Sequence, residues 1–225
     1  MLVTLERTDP VRVVRRLKPG GGTRVFTRLS HRDAVTWHDL AHRVARVLEG
    51  ALDERVAANR VVTTARGRWR LEDVGRASAR ARKVTAVHVG TVLHTDVEAF
   101  YASVRPEVLA ACLRAVGVEE DTSLRAAGML EGWSRWGCLG LPVGPPGSAV
   151  MANAVLVPVD RTLGTRPFVR WVDDYRISVA TEADARAVLG RIDTVLASLR
   201  LRRSTGKTVT GPAGDLRFPG SDYAS

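Results

Sequence analysis

Two adjacent carboxylates, Asp173 and Asp174, break a largely apolar run from Phe168 to Val179 that reads as one strand turning and starting another. Burying an unpaired charge is expensive. A chain that places two of them there must offset the cost, and a divalent cation is the usual partner. A solvated turn between strands has the same local pattern, so the pair takes its meaning from the rest of the chain.

Two other segments change its meaning. Leu93-His94-Thr95-Asp96-Val97-Glu98-Ala99-Phe100-Tyr101 puts an aspartate at the end of a strand expected over Val84 to Leu93, followed by an aromatic pair. Gly140-Leu141-Pro142-Val143-Gly144-Pro145-Pro146-Gly147-Ser148 reads as a Gly/Pro loop feeding a helix, with Asn153 beyond it. With the Asp-Asp run, these segments resemble the palm of the reverse transcriptases, in particular the compact bacterial ones related to group II intron, retron and phage-defence enzymes. That family carries an aspartate followed by an aromatic pair, a Gly-Leu-Pro-Gln-Gly loop with Ser and Asn beyond it, and an x-x-Asp-Asp hairpin, in that order. The resemblance extends outward. Lys18-Pro19-Gly20-Gly21-Gly22-Thr23-Arg24-Val25 looks like the fingers hairpin, Leu199 to Thr208 like the segment after the Asp-Asp hairpin, and Phe218-Pro219-Gly220 like the start of the primer grip. Each motif is weakly specific alone, but their joint order is strongly specific. Two positions depart from the pattern: Val143 stands where the family has Gln, and Trp171-Val172 replaces Tyr-Ala. Neither removes a carboxylate.

The resemblance implies an α+β fold: right-hand polymerase fingers and palm, an antiparallel sheet backed by helices, and a thumb that is absent or minimal. Residues 1–88 would be a fingers-like basic region and 89–225 the palm. It implies two-metal transfer of dNTPs to a primer 3′-hydroxyl on an RNA or DNA template, with two Mg²⁺ ions, or Mn²⁺ in their place. Asp96, Asp173 and Asp174 would be the catalytic carboxylates, and the metal shell would comprise them and Val97. Arg24, Tyr101, Gly144 and Lys207 would bind the nucleotide, with the Tyr101 ring selecting against a 2′-hydroxyl. Lys18, Pro142, Val143 and Asn153 would face template and primer. The implied partners are a primer–template, dNTPs, and a second copy or another subunit near Leu216 and Phe218 in place of the thumb. A role in phage defence or a mobile element follows from family analogy alone.

Two rival readings stand beside this one. Asp96-Val97-Glu98-Ala99-Phe100-Tyr101 also resembles the opening motif of translesion (Y-family) DNA polymerases, but the Ser-x-Asp-Glu motif that follows it there is absent. The other rival, from a different class, is a catalytically impaired reverse-transcriptase-like binding or scaffolding subunit, motivated by Val143.

Charge agrees with a nucleic-acid partner. The formal net charge is +10, with 34 Lys+Arg against 24 Asp+Glu. Residues 1–90 hold 19 basic and 9 acidic residues, leaving 15 of each, so the whole excess sits in the N-terminal part. Neutralising phosphates needs such a concentration of cations. Only Lys18, Lys83 and Lys207 are lysines, a bias that a GC-rich genome explains, but codon usage does not confine the excess to one region. No run of 18 apolar residues and no signal-peptide core occurs, so a cytoplasmic protein without membrane contact is expected. Cys112 and Cys138 have neither metal-ligand nor disulfide spacing and read as buried fillers.

Residues 11–18 and 23–29 read as two strands around Gly20-Gly21-Gly22, a hairpin signal, and apolar residues at helical spacing predict a helix from Asp33 to about Leu52. Residues 63–83 read as a basic irregular stretch. Helices are expected over 106–116, 122–133, from the Gly/Pro loop to Gly164, and over 182–199. Phe100 is assigned to the core, and His94 is given no role. Trp133 and Trp136 fit base stacking or packing equally well.

Overall fold

The computed structural model describes residues 7–17, 23–65, 67–85 and 90–212. It is α+β, with eight strands and seven α-helices among the described residues. The chain divides into two compact units, Met1–Ala51 with Ala99–Val155, and Leu52–Glu98 with Leu156–Ser225.

In the first unit, β1 (Arg12–Leu17) and β2 (Thr23–Arg28) form an antiparallel hairpin, pairing Arg12 with Arg28 and Arg16 with Arg24. Helix α1 (His31–Ala51) starts after Ser30, whose hydroxyl accepts from the Asp33 N–H at 3.1 Å and satisfies one of the helix's orphan donors. Its apolar stripe, Trp37, Leu40, Ala41, Val44 and Leu48, is buried. Helices α3 (Phe100–Ser103), α4 (Pro106–Ala115) and α5 (Glu120–Ser134) follow, and α6 (Pro146–Thr162) begins here. Trp37 meets Trp133 of α5 edge to face at 5.1 Å, and Trp133 Nε1 donates to Asp33 Oδ2 at 2.8 Å. Cys112 and Cys138 are buried and free, and burial pushes the Cys112 thiol up to about 11.

The glycines of the Gly/Pro loop permit close packing within the protein. Gly140 has φ +63, and a Cβ there would lie 2.1 Å from the Tyr101 carbonyl oxygen, which accepts from the Leu141 N–H at 2.7 Å. A Cβ on Gly147 would meet Trp37 and Ala41 at 3.0 Å. At these two glycines the space that a Cβ would need is taken up by the chain itself. Gly140→Ala should cost roughly 2–5 kcal/mol, from left-handed strain and overpacking together. Urea unfolding measures this, and an unchanged midpoint would mean that the loop shifts freely.

In the second unit, β3 (Val61–Thr63) and β4 (Trp69–Leu71) form a small hairpin. Helix α2 (Val74–Thr85) follows, within the stretch expected to be irregular. It forms because Ala77 and Ala81, one turn apart, are buried; Ala81 packs with Ala57, Val169, Val84 and Trp171. Strand β5 (Thr91–Asp96) is therefore shorter than expected, since Val84 and Thr85 end a helix. With β6 (Phe168–Trp171), β7 (Asp174–Val179) and β8 (Val209–Pro212) it makes an antiparallel sheet in the order β6-β7-β5-β8. Helix α7 (Glu182–Ser198) packs on β7, and α2 on β6. Thr181 caps α7, its side chain accepting from the Asp184 N–H.

Among the described residues no helix is long and apolar enough to cross a membrane. Lys18, the Gly20-Gly21-Gly22 turn, Leu216 and Phe218-Pro219-Gly220 lie outside the described residues, as does the side chain of Arg24.

Candidate functional site

The second unit builds its site from a strand end, a tight turn and a short 3₁₀ turn. In the antiparallel pairing of β5 with β7, Asp96 stands opposite Asp174 and His94 opposite Arg176. Opposed residues share a face, as do alternate ones along a strand, so all four side chains lie on one face of the sheet. Asp173 occupies the β6–β7 turn with Val172, whose φ is +60. The Val97 N–H donates to the Asp173 carbonyl at 3.3 Å, joining the turn to the end of β5. On the other side, Ser204 N–H donates to Asp96 O at 2.7 Å and Glu98 N–H to Arg202 O at 2.9 Å. Asp96 thus sits between the Asp-Asp turn and the 3₁₀ turn Thr205–Lys207.

Electrostatics ties these groups together. Lys207 Nζ donates to Asp96 Oδ2 at 2.8 Å, and that bond holds the lysine above its ordinary range, helped by the charges of Asp173 and Asp174. Burial, then repulsion from Asp96, pushes the Asp173 carboxyl up to about 6. Asp174 is 8% exposed; its Oδ2 lies 2.8 Å from His94 Nε2, and its Oδ1 is buried without a hydrogen-bond partner. The raised Asp173 carboxyl, with the Asp96 and Asp174 charges acting on it, marks a place where a cation would be favoured.

The remaining sequence-derived candidates lie in the first unit. Pro142 and Asn153 are buried, Val143 is half-buried, and Gly144 is exposed, with Phe26 Cδ1 3.6 Å from where its Cβ would stand. The Val143 carbonyl accepts from the Thr27 N–H at 2.8 Å, so the loop is fixed to β2 through backbone. Phe100 is 2% exposed, in the core, and Tyr101 is half-buried against it at 5.7 Å. Trp133 is fully buried and packs, whereas Trp136 is 48% exposed.

Sequence reasoning missed His94, because a histidine inside a strand has no signal until the register puts Asp174 diagonally across from it. It also missed a buried trio beneath the turn, Asp160, Arg170 and Tyr175. Arg170 could have been suspected as a basic residue inside the apolar run.

The sequence matches no protein-family profile and no curated protein. Among solved structures the chain is similar to telomerase from Candida albicans in complex with a TWJ fragment of telomeric RNA, with a TM-score of 0.59 and 11% identity. The likeness covers 96% of this chain and 43% of that one, so the chain spans less than half of the telomerase length. At that identity it shows the fold alone.

Proposed function

We propose that this chain is a nucleic-acid polymerase of reverse-transcriptase type, joining dNTPs to a primer 3′-hydroxyl on an RNA or DNA template. The observation that carries the reading is the gathering of Asp96, Asp173 and Asp174 at the end of the β5–β7 pair, with Lys207 bonded to Asp96. The likeness to a telomerase, which binds RNA in that structure, supports a nucleic-acid partner and a nucleotidyltransferase-type enzyme. The fingers-like region 1–88 and the palm 89–225 belong to the proposal.

Two Mg²⁺ ions, or Mn²⁺ in their place, fit the donor set. The donors are hard oxygens, and Asp174 Oδ1 is a buried acceptor without a hydrogen-bond partner. Among the described residues no group of three or more His, Cys, Asp or Glu is placed so that it could hold a metal ion. Mg²⁺ suits such an open set, because it usually takes one or two carboxylates and fills its octahedron with water and substrate phosphates. When bound, the ions would activate the attacking hydroxyl and neutralise the triphosphate. Asp96 and Asp173 would each lend an oxygen, with Asp174 and Val97 completing the protein's share. His94 orients Asp174, and the Lys207 ammonium adds positive charge for the departing pyrophosphate. The roles of Arg24, Tyr101 and Gly144 toward nucleotide, and of Lys18, Pro142, Val143 and Asn153 toward template and primer, rest on the family resemblance.

The test is purified protein with Mg²⁺ and labelled dNTPs, with and without primer–template, followed by product sequencing. Templated DNA is the expected product. Nucleic-acid binding without synthesis in either metal would establish the impaired binding subunit instead.

Binding itself should be salt-dependent. Arg12, Arg16 and Arg28 are exposed on the β1–β2 hairpin, and Arg12 and Arg28 face each other in register. Log affinity for duplex DNA should fall against log salt with a slope of about −0.9 per phosphate neutralised. Arg12→Glu with Arg28→Glu should flatten that slope by about 2. An unchanged slope would return the excess charge to codon bias.

A further inference from the structure

Asp173 owes its position to a turn that its own residues disfavour. Val172 has φ +60, a left-handed conformation in which a β-branched residue is an outlier. Such a conformation persists only where the surroundings over-determine it. Beneath it lies Arg170, fully buried, its Nη1 donating to the Val172 carbonyl at 2.8 Å. The same guanidinium grips Asp160, from the C-terminal part of α6, through Nε and Nη2 at 2.8 and 2.7 Å. Tyr175 donates its hydroxyl to Asp160 Oδ1 at 2.9 Å, closing the trio. The backbone of Arg170 is pinned as well: its N–H donates to Arg55 O at 3.0 Å, and its carbonyl accepts from the Ala57 N–H at 2.9 Å.

Stability alone does not explain this arrangement. A buried ion pair is often replaceable by apolar residues of similar volume at no net cost, so its presence is weak evidence of a stabilising role. What an apolar pair cannot supply is a donor aimed at the Val172 carbonyl. A lysine cannot supply it either while also forking onto Asp160, because only the planar guanidinium carries parallel donors in fixed geometry.

We propose that Arg170, oriented by Asp160 and Tyr175, is a positioning residue that fixes the Val172 turn and so sets where the Asp173 carboxylate stands. The part of this that concerns cation binding rests on the reading of Asp173 as a metal ligand. Arg170 touches no reacting atom; it acts through the turn.

The experiment compares the parent with Arg170→Lys, the apolar pair Arg170→Met with Asp160→Leu, and Asp173→Asn. Two readouts are taken on the full chain: Mn²⁺ affinity by titration, and hydrogen exchange at the Val97 amide, which bonds to the Asp173 carbonyl, with the β5–β7 ladder amides as internal control. Both Arg170 variants should lose roughly 10- to 100-fold in Mn²⁺ affinity, the range for residues that orient a metal ligand. Val97 exchange should speed up selectively, while the ladder amides keep the parent's rates. The apolar pair guards against simple unfolding, since it removes the uncompensated buried charge. If Val97 exchange in a folded apolar pair equals that of the parent, Arg170 is only a packing element and the proposal is overturned. If the parent's Mn²⁺ affinity equals that of Asp173→Asn while Val97 exchange still accelerates in the Arg170 variants, the cation reading fails and the positioning of the turn stands.

Discussion

Asp173→Asn should abolish nucleotidyl transfer and, in the same protein, raise resistance to unfolding in EDTA. The two effects have one cause. Burial and the Asp96 charge push the Asp173 carboxyl up to about 6, so the ionised form is disfavoured in the folded chain relative to the unfolded one. A group raised in this way stabilises the fold only while protonated; its contribution is fully present below about pH 4 and is lost as pH rises through about 6. At pH 7.5 the parent therefore carries a strained carboxylate that asparagine does not, and the gain on substitution should be about 1–3 kcal/mol, since each pKa unit is worth 1.36 kcal/mol. At pH 4 the gain should have vanished. The loss of activity should be about 10³-fold or more, because a metal's stabilisation of the transition state is worth several kcal/mol and each 1.36 is tenfold. Denaturant unfolding at the two pH values, beside a primer-extension assay, measures both. An active variant of unchanged stability would make the Asp pair an ordinary turn.

Trp133→Ala should unfold much of the first unit rather than weaken nucleic-acid binding in an intact one. Trp133 is fully buried, stacks edge to face on Trp37, and donates to Asp33, whose Oδ2 also accepts from the Asp9 N–H at 3.0 Å. Removing a buried tryptophan costs about 3–5 kcal/mol, a large share of the 5–15 kcal/mol that holds a typical domain together. Asp33 would also lose a donor while buried, adding to the cost. Chemical denaturation gives the stability loss. A variant as stable as the parent but weakened in binding would restore the base-stacking role, for which Trp136, half exposed, is the better placed of the two.

Local pattern made much of this chain legible. The glycine run between two strand-like segments foretold the β1–β2 hairpin, and the spacing of apolar residues such as Leu40, Val44 and Leu48 foretold α1, because helical periodicity is a property of the backbone itself. The turn at Asp173 and Asp174 was visible because charges in an apolar run have few other places to go. Helix α2 was not visible: Arg76, Arg80, Arg82 and Lys83 mask an inner stripe made of alanines, which carry little hydrophobic signal until Ala57 and Val169 pack against them. The boundary of β5 failed for a related reason, since a short apolar run such as Val84 onward serves a helix end as readily as a strand.

The sequence by itself determined many of the parts: the β1–β2 hairpin and most of the helices, where carboxylates interrupt apolar runs, and where positive charge accumulates. Only the tertiary structure decided the pairings. Lys207 meets Asp96 across 111 positions, His94 meets Asp174 across 80, and Arg170 reaches both Asp160 and the Val172 carbonyl. None of these pairings leaves a periodic trace, because each arises from strand register and chain closure. Those fix distance in space while leaving distance along the chain free.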